Sequence, residues 1–446
     1  MAVVLDSLAV ARWTRVQISA LALKFKRRKM ANLNPVRGMR DFLPEDAILR
    51  QEMLAKIAKV FRKYGFSPME TPAMEYLENL TKKFGEEEKL IFALKFGSEQ
   101  LGLKYDQTVP SARVIGANQQ ALQKPFKRYM IDRSWRGERP QKGRLREFLQ
   151  CDVDTFGSKS LMADAEIIAC INEALSAIGI KDVKFKINSR KLVSNFLECC
   201  GVSPIKQQVA VRSMDKMDKI GPEAAAEEMR KKGIGDAAIG TIFELLKSKG
   251  DLDAIGQKIT LNEDVKKEMK ELMSYLKKFK IDFEFDLSLV RGLDYYTGTI
   301  FEAVAPGFKG SVAGGGRYDN LVKTFANVEM PVVGGAIGFD AIYDQLQVND
   351  KKKTVTEVFV IPIGIEMDKA LEITQQLRAA GINSDMDLIG RGISKNLDYA
   401  SKLGIPYVIF VGAEELKQKK LKLKDMKAGK EELLDVKQII SKFVVN

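Results

Sequence analysis

The segment Trp135–Gln150, WRGERPQKGRLREFLQ, limits the folds open to this chain more than any other. It crowds Arg136, Arg139, Lys142, Arg144 and Arg146 around Glu138 and Glu147, with Pro140 and Gly143 in the middle. That punctuation predicts two strands joined by a mobile loop. Alternation would set Arg136 and Glu138 on one face, and Arg146, Phe148 and Gln150 likewise beyond the loop. Charge runs usually form solvated faces. Here Trp135, Phe148 and Leu149 sit between the charges and predict that one face is buried. A basic floor carrying one aromatic ring suits a nucleotide, with guanidinium groups for the phosphates and a ring for the base.

A second segment, Leu289–Gly298 (LVRGLDYYTG), places Arg291 beside Tyr295 and Tyr296, with Gly292 allowing close backbone approach. Arginine is always charged and grips phosphate or carboxylate with a rigid fork of donors. Neighbouring tyrosines offer apolar faces with polar tips, suited to a small heteroaromatic group. The same residues also read as the start of a strand with a surface arginine. Gly314, Gly315 and Gly316 could let a substrate lie against a strand. They lack the lysine and spacing of a P-loop. Arg317 and Asp319, just after them, fit a structural role as well as a substrate role.

At 446 residues the chain exceeds one ordinary core, so two or three domains are expected. A net charge of +13 favours a polyanionic partner. There is no histidine, which excludes His-based triads, imidazole general bases and the usual catalytic zinc sites. No metal-ligating set is assigned. Cys151, Cys170, Cys199 and Cys200 show no CxxC or disulfide spacing, as expected in a reducing compartment. No run is apolar and long enough to span a bilayer. Residues 1–29, rich in Lys and Arg, read as a basic extension without a fold of its own: a transit peptide, an RNA-binding arm or an upstream start are all open.

Apolar residues at Leu54, Ile57, Ala58 and Phe61 predict a helix over Leu49–Tyr64. Residues 195–277 predict a charged, largely helical insert, with EAAAEEMRKK (Glu223–Lys232) strongly helix-forming. Strand patterning returns at Phe283. Past Lys351–Lys353, a linker, VFVIPIG and PYVIFVG flank an amphipathic helix near Lys369–Ala379, as in a small α/β domain.

The chain resembles class II histidyl-tRNA synthetases from about Asn34 onward. Arg136-Gly137-Glu138 resembles the Arg-x-Glu of that class's second motif, and RPQKGRLREF and LVRGLDYYTG resemble segments typical of the histidine enzyme. NPVRGMRDFLP (Asn34–Pro44), YGFSPMETP (Tyr64–Pro72) and LKYDQTVPSAR (Leu103–Arg113) resemble the family's start, its first motif and a strand supplying an acid for the substrate ammonium. The resemblance implies an α/β architecture: a class II antiparallel-sheet catalytic domain with a helical insertion, and a C-terminal α/β anticodon-binding domain. The expected divisions are 30–194 (catalytic, first part), 195–277 (insertion), 278–350 (catalytic, second part) and 354–446 (anticodon-binding).

The implied activity joins L-histidine to ATP, with Mg²⁺, and transfers it to tRNA(His), in a cytoplasmic homodimer whose interface uses the first helix and the strand ending at Pro72. Arg136 and Arg291 are the catalytic candidates, on opposite sides of the α-phosphate. Arg136, Glu138, Arg144 and Phe148 would hold ATP. Asp106, Thr108, Gln150, Asp154, Arg291, Tyr295 and Tyr296 would hold histidine. Gln141 and Lys142, at the loop tip, would meet tRNA, as would some of Lys417, Lys419, Lys420, Lys422 and Lys424.

One position departs from the family. Its third motif ends in an acid followed by an arginine that binds the γ-phosphate; VGGAIGFDAIYD has Asp340 and then Ala341. Either Arg144 or Arg146 carries the triphosphate tail, or activation is weakened. This leaves open a histidine-sensing regulatory subunit as the second reading, although such paralogues generally lack the anticodon-binding domain. A nucleic-acid-binding module without catalysis is the third.

Overall fold

The computed structural model describes residues 32–444 except 82–84, 142, 248, 291–295, 347, 349, 350 and 365. The described residues up to Asp41 belong to one compact unit and those from Phe42 onward to another. The first holds a turn in which Met39 N–H donates to the Val36 carbonyl at 2.8 Å.

The two strands foreseen in the basic segment form, but they are set back from it. They are β5 (Phe126–Trp135) and β6 (Glu147–Phe156), antiparallel and paired from Phe126 with Phe156 to Trp135 with Glu147. Arg136, Glu138 and Arg146 therefore lie in the connecting loop, not on strands. Trp135 Nε1 closes the ladder by donating to Glu147 Oε2 at 2.9 Å.

β5 and β6 belong to a nine-stranded sheet of order β1-β5-β6-β12-β11-β10-β7-β9-β8. Its other strands are β1 (Ser67–Pro68), β7 (Lys184–Ser189), β8 (Lys249–Gly250), β9 (Phe283–Asp286), β10 (Thr299–Val304), β11 (Ala313–Arg317) and β12 (Val332–Ile337). The central neighbours are antiparallel; β1 with β5 and β7 with β9 are parallel.

Alternation gives the sheet two unlike faces. Cys151 and Val153 of β6, Val333 and Ile337 of β12 and Phe301 of β10 turn to the main apolar core. There they meet a helix, α3 (Leu161–Ala177), which is apolar nearly all round because it is covered on several sides. It packs against β12, the helix Glu263–Lys278 and α1 (Pro44–Lys63). Ser160 caps it by accepting from Met162 N–H at 3.2 Å. Ile57 and Phe61 of α1 are fully buried in this core. Helices Arg190–Cys199, Pro204–Ile220, Pro222–Lys231, Asp236–Leu245 and Glu263–Lys278 follow β7 and precede β9, with Pro204 and Pro222 at first helical positions.

A separate three-stranded sheet joins β2 (Met74–Tyr76), β4 (Glu99–Leu103) and β3 (Ala93–Phe96). Met74, Tyr76, Leu94 and Phe96 are exposed upon it. Glu75, pointing the other way, is buried and accepts a two-pronged bond from Arg113 at 2.7 and 2.8 Å. Arg113 lies on α2 (Thr108–Asn118).

Residues beyond the linker form a five-stranded sheet, β14-β13-β15-β16-β17, with β13 (Val358–Pro362), β14 (Ser384–Met386), β15 (Tyr407–Val411), β16 (Leu421–Asp425) and β17 (Glu431–Leu434). Its helices include Met367–Ala379, Ile393–Leu403 and Val436–Val444. Lys351 and Lys352 of the linker pair with Asp46 and Glu52 of α1 at 2.7 and 2.8 Å, and Lys353 Nζ donates to the Lys402 carbonyl at 3.3 Å.

One buried ion pair ties α1 to the start of β6. Arg50, enclosed by Phe42, Phe339 and Tyr343, bonds Asp340 Oδ1, while Asp340 Oδ2 accepts from Leu149 N–H at 2.6 Å. Removing one partner of a buried pair strands the other charge. Arg50→Met is therefore expected to lower unfolding free energy by about 3–5 kcal/mol in urea titration. A loss below about 1 kcal/mol would mean that Asp340 is held well enough without it.

Candidate active site

The sheet face away from the core is polar, and it is nearly bare of side chains at its centre. Phe148, Gln150, Asp152 and Asp154 of β6 point to it by alternation. So do Arg128, Met130, Asp132 and Ser134, their partners on β5. On β12 and β11 the same face carries Gly334, Ala336, Gly314 and Gly316. A Cβ on Gly334 would overlap the Asp154 carboxylate, and one on Gly316 would lie 2.8 Å from Tyr296 Cδ1. These two glycines thus let Asp154 and the Tyr296 ring lie flat on the sheet. Gly315 points the opposite way, into the core, where a Cβ would strike Phe301.

The Asp154 end is closed by a small apolar cluster of Ala112, Ile115, Phe156, Tyr318 and Val332. Asp154 is buried and firmly held. Its Oδ2 pairs with Arg128 Nη2 at 2.6 Å, and its Oδ1 accepts from the Tyr318 hydroxyl. Burial pushes the Asp154 carboxyl up, against Arg128 and the Tyr318 bond, which favour the charged form. Burial and the nearby Asp154 raise the Tyr318 phenol well above its usual value, so it stays a donor. Arg128 is wholly buried.

Asp106 follows β4 and stands just ahead of α2, not in a strand. Its Oδ1 accepts from Thr108 and Val109 N–H groups at 3.0 Å each, two of the donors that a helix start leaves unpaired. Burial raises its pKa, with those bonds and Arg136 opposing. Gln107 is locked beneath, its Nε2 donating to the Arg133 carbonyl at 3.1 Å and to Ser134 Oγ at 3.0 Å. Lys104, wholly buried, donates to Asp132 Oδ2 at 2.7 Å beside Gln150, which pairs with Asp132 across the strands.

At the loop end, Arg136 Nε donates to the Tyr105 carbonyl at 3.1 Å, and its guanidinium lies 5.0 Å from the centre of the Phe148 ring. Arg146 Nε fixes the loop by donating to the Glu138 carbonyl at 3.0 Å. Arg144 is largely exposed and reaches Glu138 Oε2 at 3.7 Å. Reciprocal backbone bonds between Gln141 and Arg144, at 3.1 and 2.9 Å, make the tip a tight turn with Gly143 at φ +77°.

Asp106, Arg136, Phe148, Gln150, Asp154 and Tyr296 thus share one region. Arg291, Tyr295 and Lys142 lie outside the described residues. Arg317 is removed from this face: it pairs with Asp164 at the start of α3, and Asp319 Oδ1 accepts from Val332 N–H at 2.9 Å. Both serve structure. Ala341 is half-buried, and the acid before it, Asp340, is engaged by Arg50 and Leu149 as described.

Sequence reasoning passed over Arg128, Asp152, Lys104 and Tyr318. Asp152 had an available signal, since it lies midway between Gln150 and Asp154 on a strand and must share their face. Arg128 had none within its own segment; only the register opposite Asp154 gives it meaning.

The chain matches the family model described as Histidyl-tRNA synthetase over residues 38–342, and that of the Anticodon binding domain over residues 357–446. It is 36% identical over 423 residues to the Histidine--tRNA ligase of Clostridium tetani, covering 90% of this chain and 96% of the relative. The Histidine--tRNA ligase of Aeropyrum pernix is 40% identical over 400 residues, 85% of this chain and 91% of that one. The crystal structure of histidyl-tRNA synthetase from Nostoc sp. PCC 7120 superposes with a TM-score of 0.81 at 32% identity, covering 92% of this chain and 99% of that chain. By family model, by relatives along most of its length and by fold, the chain belongs to the histidyl-tRNA synthetase family.

Proposed function

We propose that this chain activates L-histidine with ATP, forming histidyl-adenylate and pyrophosphate, and then esterifies the 3′ end of tRNA(His). The observation that carries the reading is one bare sheet face with Asp154 at one end, Arg136 over Phe148 at the other, and Asp106 next to Tyr105, whose carbonyl Arg136 holds. Asp154 suits an imidazole N–H, Asp106 a cationic amine, and Arg136 with Phe148 a phosphate and a base. The regulatory-subunit reading is not favoured: the curated relatives are named as ligases, and residues 357–446 match an anticodon binding domain.

In the activation step a histidine carboxylate oxygen bonds to the α-phosphorus as the bond to the pyrophosphate oxygen breaks. No proton need move, and the barrier is dominated by the meeting of negative groups, which preorganised cations lower. Arg136 would meet the α-phosphate from the loop side and Arg291, by family resemblance, from the other. Phe148 would stack on adenine, with Glu138 accepting from the nucleotide and Arg144 reaching the outer phosphates. Asp106 and Thr108 with Gln150 would receive the ammonium, and Asp154, Tyr295 and Tyr296 the imidazole.

Among the described residues no group of three His, Cys, Asp or Glu side chains is arranged to hold a metal. Mg²⁺ would come with the phosphates of ATP, whose charge it would neutralise. Gln141 and Lys142 would face the tRNA acceptor end. In the C-terminal region Lys417, Lys419 and Lys420 are exposed and fit a phosphate backbone better than Lys422 and Lys424, which pair with Glu431. A cytoplasmic location suits this work. Among the described residues no helix is long and apolar enough to cross a membrane.

A homodimer is supported by the apolar face of Met74, Tyr76, Leu94 and Phe96, a patch that soluble monomers rarely leave bare. This shifts the expected contact from the first helix, whose Ile57 and Phe61 are spent on the chain's own core.

ATP–pyrophosphate exchange, run with each amino acid in turn, is expected to respond to histidine alone. Exchange with none, or equally with several, would overturn the reading. Arg136→Ala should lower the exchange kcat by about 10²–10³ with little change in the KM for histidine. A near-normal rate removes Arg136 from the mechanism. If the missing cation at Ala341 limits ATP binding, Ala341→Arg should lower the KM for ATP in a folded variant; an unchanged KM means that another cation serves. Phe96→Asp with Leu94→Asp should turn a dimer into a monomer by light scattering, and an unchanged mass would put the interface elsewhere.

A further inference from the structure

One acid on β6 has no task in the reaction as read above. Asp152 lies between Gln150 and Asp154 on the same face and is 4% exposed. Its cross-strand neighbours are Met130 and Ala336, whose side chains offer it no N–H or O–H. Its Oδ1 has no hydrogen-bond donor among the described residues, and the same holds for the buried Gln150 Oε1, one pleat along the strand. Buried acceptors without donors are costly and rare, and two together in a pocket call for a ligand that brings N–H groups.

Charge points the same way. Asp106, Asp132, Asp152 and Asp154 face this region against the described cations Lys104, Arg128 and Arg136, and Lys104 is already paired with Asp132 at 2.7 Å. Arg128 is already paired with Asp154 at 2.6 Å. Burial drives the Asp152 carboxyl well above its usual range, Arg128 opposing and Asp154 and Asp106 adding to the rise. A bound cation would restore the carboxylate.

We propose that Asp152 binds the α-ammonium of the amino-acid substrate, acting with Gln150 Oε1 and Asp106. An ammonium carries three N–H donors in a compact cluster. Asp106 Oδ1 is occupied by Thr108 and Val109, which leaves its second oxygen for the amine. Three acceptors on three side chains then meet three donors. An imidazole brings two N–H groups at most, and Asp154 with its Tyr318 and Arg128 supports already suits one of them. Asp152 thereby makes the pocket select a free primary amine as well as a ring.

The proposal rests on reading this face as the histidine pocket, and two probes separate the two claims. Histidinol keeps the ammonium and lacks the carboxylate; 3-(imidazol-4-yl)propionate keeps the ring and carboxylate and lacks the ammonium. Calorimetric titration of the full chain should detect both, and binding of neither would overturn the pocket reading and this proposal with it. With Asp152→Asn, histidinol affinity should fall about ten- to hundredfold, the scale of a lost charged hydrogen bond, while imidazolepropionate binds within about twofold of before. Equal loss for both probes, or none for histidinol, overturns the proposal while leaving the pocket reading intact; equal loss would mark Asp152 as a counter-ion to Arg128. If the Asn variant does not fold, Asp152→Glu keeps the carboxyl group facing Arg128 but displaces it by one methylene. It should lose histidinol selectively by at least about fivefold, and an unchanged or unselective response in that variant is equally decisive against the proposal.

Discussion

A guanidinium sealed inside a sheet is the constraint around which this catalytic face is arranged. Arg128 has no exposed surface, and its charge is tolerable only because Asp154 stands opposite it on β6. The pairing depends on register. A slip of one residue would turn Asp154, Asp152 and Gln150 toward the apolar core and bring Cys151 and Val153 to the pocket. The ion pair therefore fixes more than one carboxylate: it decides which side of the sheet can be polar at all. The glycines of β11 and β12 follow from the same arrangement, because a carboxylate lying flat on the sheet needs a neighbour without a side chain.

Much of this was legible in the residues before the structure. Trp135 and Phe148 amid the arginines implied a strand pair with one buried face, and the glycine-rich run implied a strand open to close approach. The strand ends were not legible. Nothing local says that the ladder stops at Trp135, since Arg136 N–H still bonds the Arg146 carbonyl at 2.8 Å while the chain turns away to meet Leu90 and Tyr105. Nor does a helix pattern reveal that Arg50, on the apolar side of α1, meets Asp340. Long-range ionic pairs leave no periodic trace. The role expected of Arg317 was ambiguous for the opposite reason, since its parity on β11 matters only once the sheet's two faces are known.

The departure at the third motif acquires a physical setting. Asp340 is committed on both oxygens, to Arg50 and to the Leu149 amide, and so steadies the backbone next to Phe148. The acid of that motif acts here as a brace for the ring that would stack on the base. The following alanine brings no charge to the site, and Arg136 is the described cation lying against that ring.

The lysine linker has a mechanical consequence. The apolar clusters of the C-terminal sheet draw only on residues from Val358 onward, so that core closes on itself. Lys351 and Lys352, in the linker ahead of that core, reach α1 through two partly exposed ion pairs. Each is worth about 0–1 kcal/mol, and salt weakens it further, with a screening length of about 8 Å at physiological ionic strength. Salt therefore acts on the contact between the linker and α1, and leaves the two apolar cores, each closed by its own residues, untouched.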